Sequence, residues 1–206
     1  MTFFDLIFPP LCPYCGELLA QNAETCEKCA KLTEIAPHKE TLENGTQCIA
    51  ALKYSDVVRK AILDYKYHGH RQYAAPFSLT YCRMITEYLS GDTFDLYTSV
   101  PMKFDLTGRR FDHVGLIASK TAKIQRVPYK RILDQTRAKQ FQHSLNREQR
   151  RENAQGLYAV KNAADIREKK VLIFDDIKTT GSTLTACSDA LHEAGAKRVV
   201  CITLAW

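Results

Sequence analysis

No stretch of the chain approaches the roughly 18 to 20 consecutive apolar residues that a membrane span needs. The opening segment, Met1 to Phe8, has no basic residues before its apolar part and is cut short by Pro9 and Pro10, so it does not read as an export signal. The expected location is the cytoplasm. Internal repeats and low-complexity tracts are also missing, which excludes solenoids and fibrous proteins. So are the Walker pattern and G-x-G-x-x-G, which argues against a nucleoside triphosphatase or a dinucleotide-binding fold. What remains, with 45% hydrophobic and 25% charged residues among 206, is the composition of an ordinary globular protein.

Charge is unevenly distributed. Of the net +6, Lys103 to Arg151 carries 13 lysines and arginines against 4 acids, so the rest of the chain is slightly acidic. A concentrated positive stretch raises the local concentration of polyanions, either nucleic-acid backbones or phosphorylated small molecules.

Composition divides the chain into two expected units. Residues 1–47 are rich in cysteine and acid and end in the polar stretch Pro37 to Gly45, read as a small module plus linker. Residues 48–206 alternate strand and helix patterns. Cys48 to Leu52 and Leu96 to Val100 are short apolar runs. Val58, Ala61, Ile62 and Tyr65 mark one helix, Phe77, Tyr81, Met84 and Ile85 a second, and Val114, Ile117, Ala118 and Thr121 a third. Val171 to Phe174 and Val199 to Leu204 read as strands buried on both faces, joined by a helix with Leu184, Cys187 and Leu191 on its apolar stripe and Gly195 at its end. The expected class is α/β, with a parallel sheet, flanking helices and right-handed crossovers.

Eight cysteines in a chain without an export signal favour reduced thiols or metal ligands over disulfides. Cys12, Cys15, Cys26 and Cys29 form two C-x-x-C pairs ten residues apart, the spacing that brings four thiolates to one tetrahedral ion. Zinc is the expected metal. A closed set of four sulfurs leaves no position for water or substrate, so its role would be structural. Cys48, Cys82, Cys187 and Cys201 have no such spacing, and three of them sit in apolar patterns as small hydrophobes.

The densest chemistry follows the first buried strand, in Asp175-Asp176-Ile177-Lys178-Thr179-Thr180-Gly181-Ser182-Thr183. A helix beginning beyond the carboxyl end of a parallel strand offers unpaired N–H groups and a positive dipole end to a phosphate. Gly181 permits close backbone approach, and the hydroxyls of Thr179, Thr180, Ser182 and Thr183 add donors. The two acids precede that turn, where they can accept from vicinal ribose hydroxyls. The run has the chemistry of a ribose 5-phosphate receptor.

Val171 to Thr183 resembles the 5-phosphoribosyl 1-pyrophosphate (PRPP) signature of type I phosphoribosyltransferases. The whole chain resembles the ComF family of competence-associated proteins, which joins an N-terminal four-cysteine module to a phosphoribosyltransferase-like domain. Lys66-Tyr67-His68-Gly69 is similar to that family's K-Y-x-G element, and Val100-Pro101-Met102 with Arg109-Arg110-Phe111-Asp112 to its V-P…R-G-F-N. Arg137, Gln142, Leu145, Arg150, Asn153 and Gly156 are similar to its basic segment. Arg110 and Asp112 depart from the usual Gly and Asn.

The resemblance implies a type I phosphoribosyltransferase-like fold in which Asp175 and Asp176 bind the ribose hydroxyls, Thr179, Thr180, Gly181, Ser182 and Thr183 hold the 5-phosphate, and Lys178 is a further PRPP-binding residue. Magnesium would arrive with PRPP, and Met102, Lys103 and Arg109 would lie in the pyrophosphate loop. It also implies a role in natural transformation, handling incoming single-stranded DNA on the cytoplasmic side with the inner-membrane DNA-uptake machinery as partner. The segment Thr136 to Asn153 reads as a cationic loop. It is expected either to close over the active site or to contact nucleic acid, with Arg137, Lys139, Arg147, Arg150 and Arg151 on phosphates and Phe141 stacked on a base. An active Mg-dependent phosphoribosyltransferase of nucleotide salvage is the alternative, and no residue of the signature names its acceptor or a general base.

Overall fold

The computed structural model describes residues 9–102, 111–136 and 157–206. Its centre is a five-stranded sheet in the order β1-β2-β7-β6-β3, formed by β1 (His38–Thr41), β2 (Gln47–Leu52), β7 (Arg198–Ala205), β6 (Lys170–Ile177) and β3 (Leu96–Ser99). β1 runs antiparallel to β2, and the other four strands are parallel. A separate antiparallel pair, β4 (Leu133–Gln135) with β5 (Tyr158–Val160), was not evident from the sequence because its strands are three residues long.

Both faces of the sheet are covered, which is why its central strands carry no polar alternation. On one face, Leu172, Phe174, Val200 and Ile202 pack against α2 (Asp56–Tyr67), α3 (Ala74–Tyr88) and α4 (His113–Gln125). On the other, Val171, Ile173, Val199 and Cys201 pack against Leu184, Cys187 and Leu191 of α5 (Ser182–Glu193). Burying a side chain such as Phe174 or Leu172 contributes about 1.5–3 kcal/mol. A one-turn helix, α1 (Glu27–Ala30), belongs to the cysteine module. Cys48, Cys82, Cys187 and Cys201 are all buried, as their apolar surroundings predict.

Helix starts follow local chemistry. Ser55 caps α2, its hydroxyl oxygen accepting from the Val58 amide. α3 carries Pro76 in its first turn, where a missing N–H costs nothing. Asp112 caps α4: Oδ1 accepts from the Gly115 amide at 2.8 Å, while Oδ2 pairs with Arg131 at 2.8 Å. Aspartate thus fills the turn where the resemblance leads one to expect asparagine, with Arg131 balancing its charge.

Two expectations change. The polar stretch Pro37 to Gly45, read as a linker, contains edge strand β1 and the turn into β2, with Gly45 at φ +85°. The strand expected to stop at Phe174 runs on to Ile177 because β7 keeps pairing with it, Asp175 opposite Thr203 and Ile177 opposite Ala205. Among the described residues, no helix is long and apolar enough to cross a membrane.

Gly115 is fixed by close approach: a Cβ there would lie 2.2 Å from Asp112 Oδ2 and 2.8 Å from the Tyr129 hydroxyl. Gly115→Ala must push the cap aside, and a loss of about 2 kcal/mol is expected in urea unfolding, on the scale of a lost cap plus overpacking. Ser119→Ala, one turn along the same helix, provides the near-neutral comparison.

Candidate functional site

Extension of β6 through the acid pair decides where each carboxylate goes. Successive side chains of a strand point to opposite faces. Asp175 shares its face with Val171 and Ile173, towards α5, and Asp176 shares its face with Leu172 and Phe174, towards α2, α3 and α4. The pair therefore straddles the tip of the sheet.

Asp176 is buried and ion-paired. Lys66 Nζ, at the end of α2, lies 2.8 Å from its Oδ2, and His113 Nε2, the first residue of α4, bonds to the same oxygen. All three side chains are about nine-tenths buried or more. Burial pushes the Asp176 carboxyl up, but the Lys66 ammonium and the His113 imidazole outweigh it and hold the group well below the usual carboxylate range. The Tyr65 hydroxyl donates to the His113 carbonyl at 2.8 Å, and the Tyr81 hydroxyl donates to the Asp175 carbonyl, so α2 and α3 also fix the backbone here. The Lys66 and Asp112–His113 segments lie far from Asp176 in sequence. Sequence reasoning gave Lys66 no role and overlooked His113.

The turn read from the sequence as a phosphate receptor begins at once. Thr179, Thr180 and Ser182 are exposed, Thr183 is half-buried, and Gly181 is buried with φ +78° directly before α5. Gly181 supplies no side-chain cap to the first-turn amides. Thr180 Oγ1 lies 3.1 Å from the Ser182 hydroxyl. Lys178, expected among the ligand contacts, is paired with Glu40 of β1 at 2.7 Å. The β1–β2 hairpin lines this turn throughout: a Cβ on Gly181 would come 3.0 Å from Leu42, and the Asn44 amide donates to Ser188 and Asp189 of α5 at 2.8 and 2.7 Å.

The structure thus brings Asp175, Asp176, Lys178, Thr179, Thr180, Gly181, Ser182 and Thr183 to one edge of the sheet, with Asp176 and Lys178 turned to protein partners. Met102, half-buried, follows β3 at the same edge. An open groove of about 540 Å³ is lined by Arg71, Phe111, Tyr129 and Arg131, with the Arg71 guanidinium 4.9 Å from the Phe111 ring centre. Lys103, Arg109, Arg137, Lys139, Phe141, Arg147, Arg150 and Arg151 lie outside the described residues.

At the other end of the chain, the thiols of Cys12, Cys15, Cys26 and Cys29 all lie within 4.8 Å of one another. Tetrahedral zinc with bonds of about 2.3 Å sets its sulfurs about 3.8 Å apart, so the donor set fits the ion in number, chemistry and spacing. Gly16, at φ +79°, donates to the Cys12 carbonyl to close the first knuckle, and α1 carries Cys29 in the second. The module rests on α3: Tyr14 packs edge-on against Phe77, and the Thr80 hydroxyl donates to Glu24 at 3.2 Å.

Comparison with known proteins agrees with this geometry. Residues 117–205 match the phosphoribosyl transferase domain, and residues 3–40 match the double zinc ribbon domain. The chain therefore has a type I phosphoribosyltransferase fold, with a mixed, mainly parallel sheet flanked by helices and an N-terminal four-cysteine zinc module. The two domains in this order fit a ComF-like architecture. No curated protein matches the chain.

Among solved structures, the chain is similar to the glutamine PRPP amidotransferase of B. subtilis, at 21% identity and TM-score 0.43, covering 68% of this chain and 30% of that one. An allosteric regulatory enzyme of purine biosynthesis is similar at 18% identity and TM-score 0.43, over 68% of this chain and 29% of that one. The chain thus spans less than a third of either. The adenine phosphoribosyltransferase of Thermoanaerobacter pseudethanolicus is similar at 14% identity and TM-score 0.42, over 87% of this chain and 99% of that one.

Asp176→Asn leaves Lys66 and His113 facing a neutral amide, and a loss of about 3 kcal/mol at neutral pH is expected in denaturant unfolding. A carboxylate with a depressed folded pKa stabilises above its unfolded value of about 3.9 and loses that contribution as pH falls towards the folded value. The gap between wild type and variant should therefore be full above about pH 5 and narrow below about pH 4. Chelation of zinc, or Cys26→Ser, should release the N-terminal module and make residues 10–40 sensitive to protease in limited digestion.

Proposed function

We propose that the turn Lys178 to Thr183, with the acid pair before it, receives the 5-phosphate and ribose of PRPP. In this reading the protein is a ComF-family, phosphoribosyltransferase-like protein that handles incoming single-stranded DNA on the cytoplasmic side during natural transformation. The observation that carries the sugar-phosphate reading is the turn itself. Exposed hydroxyls and a left-handed Gly181 stand before the first amides of α5, at the carboxyl edge of a parallel sheet. The phosphoribosyl transferase match over residues 117–205 spans that turn and supports the same ligand class.

Magnesium would be held mainly by the pyrophosphate of the ligand, since it keeps several waters and takes few protein carboxylates. Asp175 is the acid on the α5 face of the strand end, and Asp176, held at Oδ2 by Lys66 and His113 on the opposite face, keeps its other oxygen for the ribose. The DNA-handling part rests on the positive stretch Lys103 to Arg151 and on the ComF-like order of domains. The division near residue 47 separates the zinc module, with the β1 segment that follows it, from the remainder of the sheet.

Calorimetric titration with Mg-PRPP and with a single-stranded oligonucleotide, separately and together, tests both parts. Saturable heat with PRPP is expected for wild type. Gly181→Val, which places a branched side chain at φ +78° and against Leu42, should weaken PRPP at least about tenfold while leaving oligonucleotide binding unchanged. Absence of PRPP heat from folded, zinc-loaded protein would refute the sugar-phosphate reading. Pyrophosphate release with a nucleobase, without oligonucleotide binding, would replace DNA handling by nucleotide salvage.

A further inference from the structure

We propose that Lys66 and His113 are positioning residues of the cradle: together they grip Oδ2 of Asp176 and set the angle at which the rest of that carboxylate meets the ribose. This rests on the sugar-phosphate reading and assigns roles to two residues outside the signature. Three separate stretches of sequence supply the grip. Lys66 is the next-to-last residue of α2, His113 begins α4, and Asp176 stands one residue before the last of β6. Both donors converge on a single oxygen, Lys66 Nζ at 2.8 Å and His113 Nε2 by a hydrogen bond. A carboxylate held at one oxygen by two donors from different helices has little freedom to rotate, and only Oδ1 is left for a ligand.

The surroundings hold the donors in turn. The Tyr65 hydroxyl fixes the His113 carbonyl at 2.8 Å, and the Tyr65 ring lies edge-on to the imidazole with centres 6.2 Å apart. His113 Nδ1 is buried and has no hydrogen-bond partner among the described residues, so there the imidazole ring hydrogen-bonds to Asp176 alone. The titratable and charged groups facing Asp176 are Lys66 and Tyr65 from α2, Tyr81 from α3 and His113 from α4, with Asp175 beside it on β6. Burial opposes its charge, and the Lys66 ammonium and the His113 hydrogen bond favour it. With Lys66 in place the carboxylate stays ionised through the mildly acidic range. Without it, burial acts against His113 alone, and the carboxylate takes up a proton as pH falls.

The test is PRPP affinity in the presence of magnesium, measured for wild type, Lys66→Met and Lys66→Arg from about pH 7.5 down to about pH 5.5. The ratio of variant to wild type at each pH cancels the ligand's own titration. Lys66→Met should weaken binding about tenfold at the upper end, with a further decline as pH falls, while Lys66→Arg should stay within about threefold at every pH. His113→Leu should weaken binding in the same direction, and His113→Gln, which keeps a donor, should recover most of the loss. If Lys66→Met does not fold, Lys66→Met combined with Asp176→Asn removes both charges together. That variant should bind weakly with a ratio that does not change with pH. A Lys66→Met ratio that is close to one, or reduced but flat with pH, would overturn the positioning role while leaving the sugar-phosphate reading intact. Failure of wild type itself to bind would overturn both.

Discussion

A carboxylate taken out of water keeps its charge only if the fold supplies partners, and Asp176 obtains them from two helices at once. The arrangement follows from the pairing of β6 with β7 beyond Phe174. Had the strand stopped there, both acids would lie on a loop free to turn together towards solvent. Continued pairing to Ile177 sends Asp176 under α2 and α4 and Asp175 to the side of α5. The turn Lys178 to Thr183 then starts from a strand end pinned on both faces. A preorganised start matters because a mobile turn must lose conformational entropy before its amides can act together.

The opposite wall of the turn is built by the β1–β2 hairpin. Glu40 holds Lys178, Leu42 closes against Gly181, and Asn44 bonds to α5. These contacts explain why Lys178 is no free cation waiting for phosphate, and why a polar stretch after the zinc module is ordered at all. The zinc module reaches the same region by another route, since α3 carries Phe77 and Thr80 against it and Tyr81 against the Asp175 carbonyl. A ribbon too small to form its own core is thereby packed onto the helix that supports the acid strand.

Much of this could be read from residue order. The apolar runs of β6 and β7 and the stripes of α2 to α5 are long, periodic and buried as their patterns require, and the doubled C-x-x-C spacing leads directly to the cysteine cluster. Harder to see were features that depend on partners distant in sequence. Nothing in Pro37 to Gly45 has strand periodicity; β1 forms because an edge of β2 is available for pairing. No local signal links Lys66 or His113 to Asp176, and only the three-dimensional convergence of α2, α4 and β6 does so.

The central claim is that the edge formed by Asp175 to Thr183 holds a sugar phosphate, and a crystal structure of the protein with Mg-PRPP addresses it most directly. The account predicts phosphate oxygens within about 3 Å of the amides and hydroxyls between Thr179 and Thr183, with ribose hydroxyls on the acid pair and Lys66 still on Asp176. Density for the ligand elsewhere, with that turn bare, would contradict it.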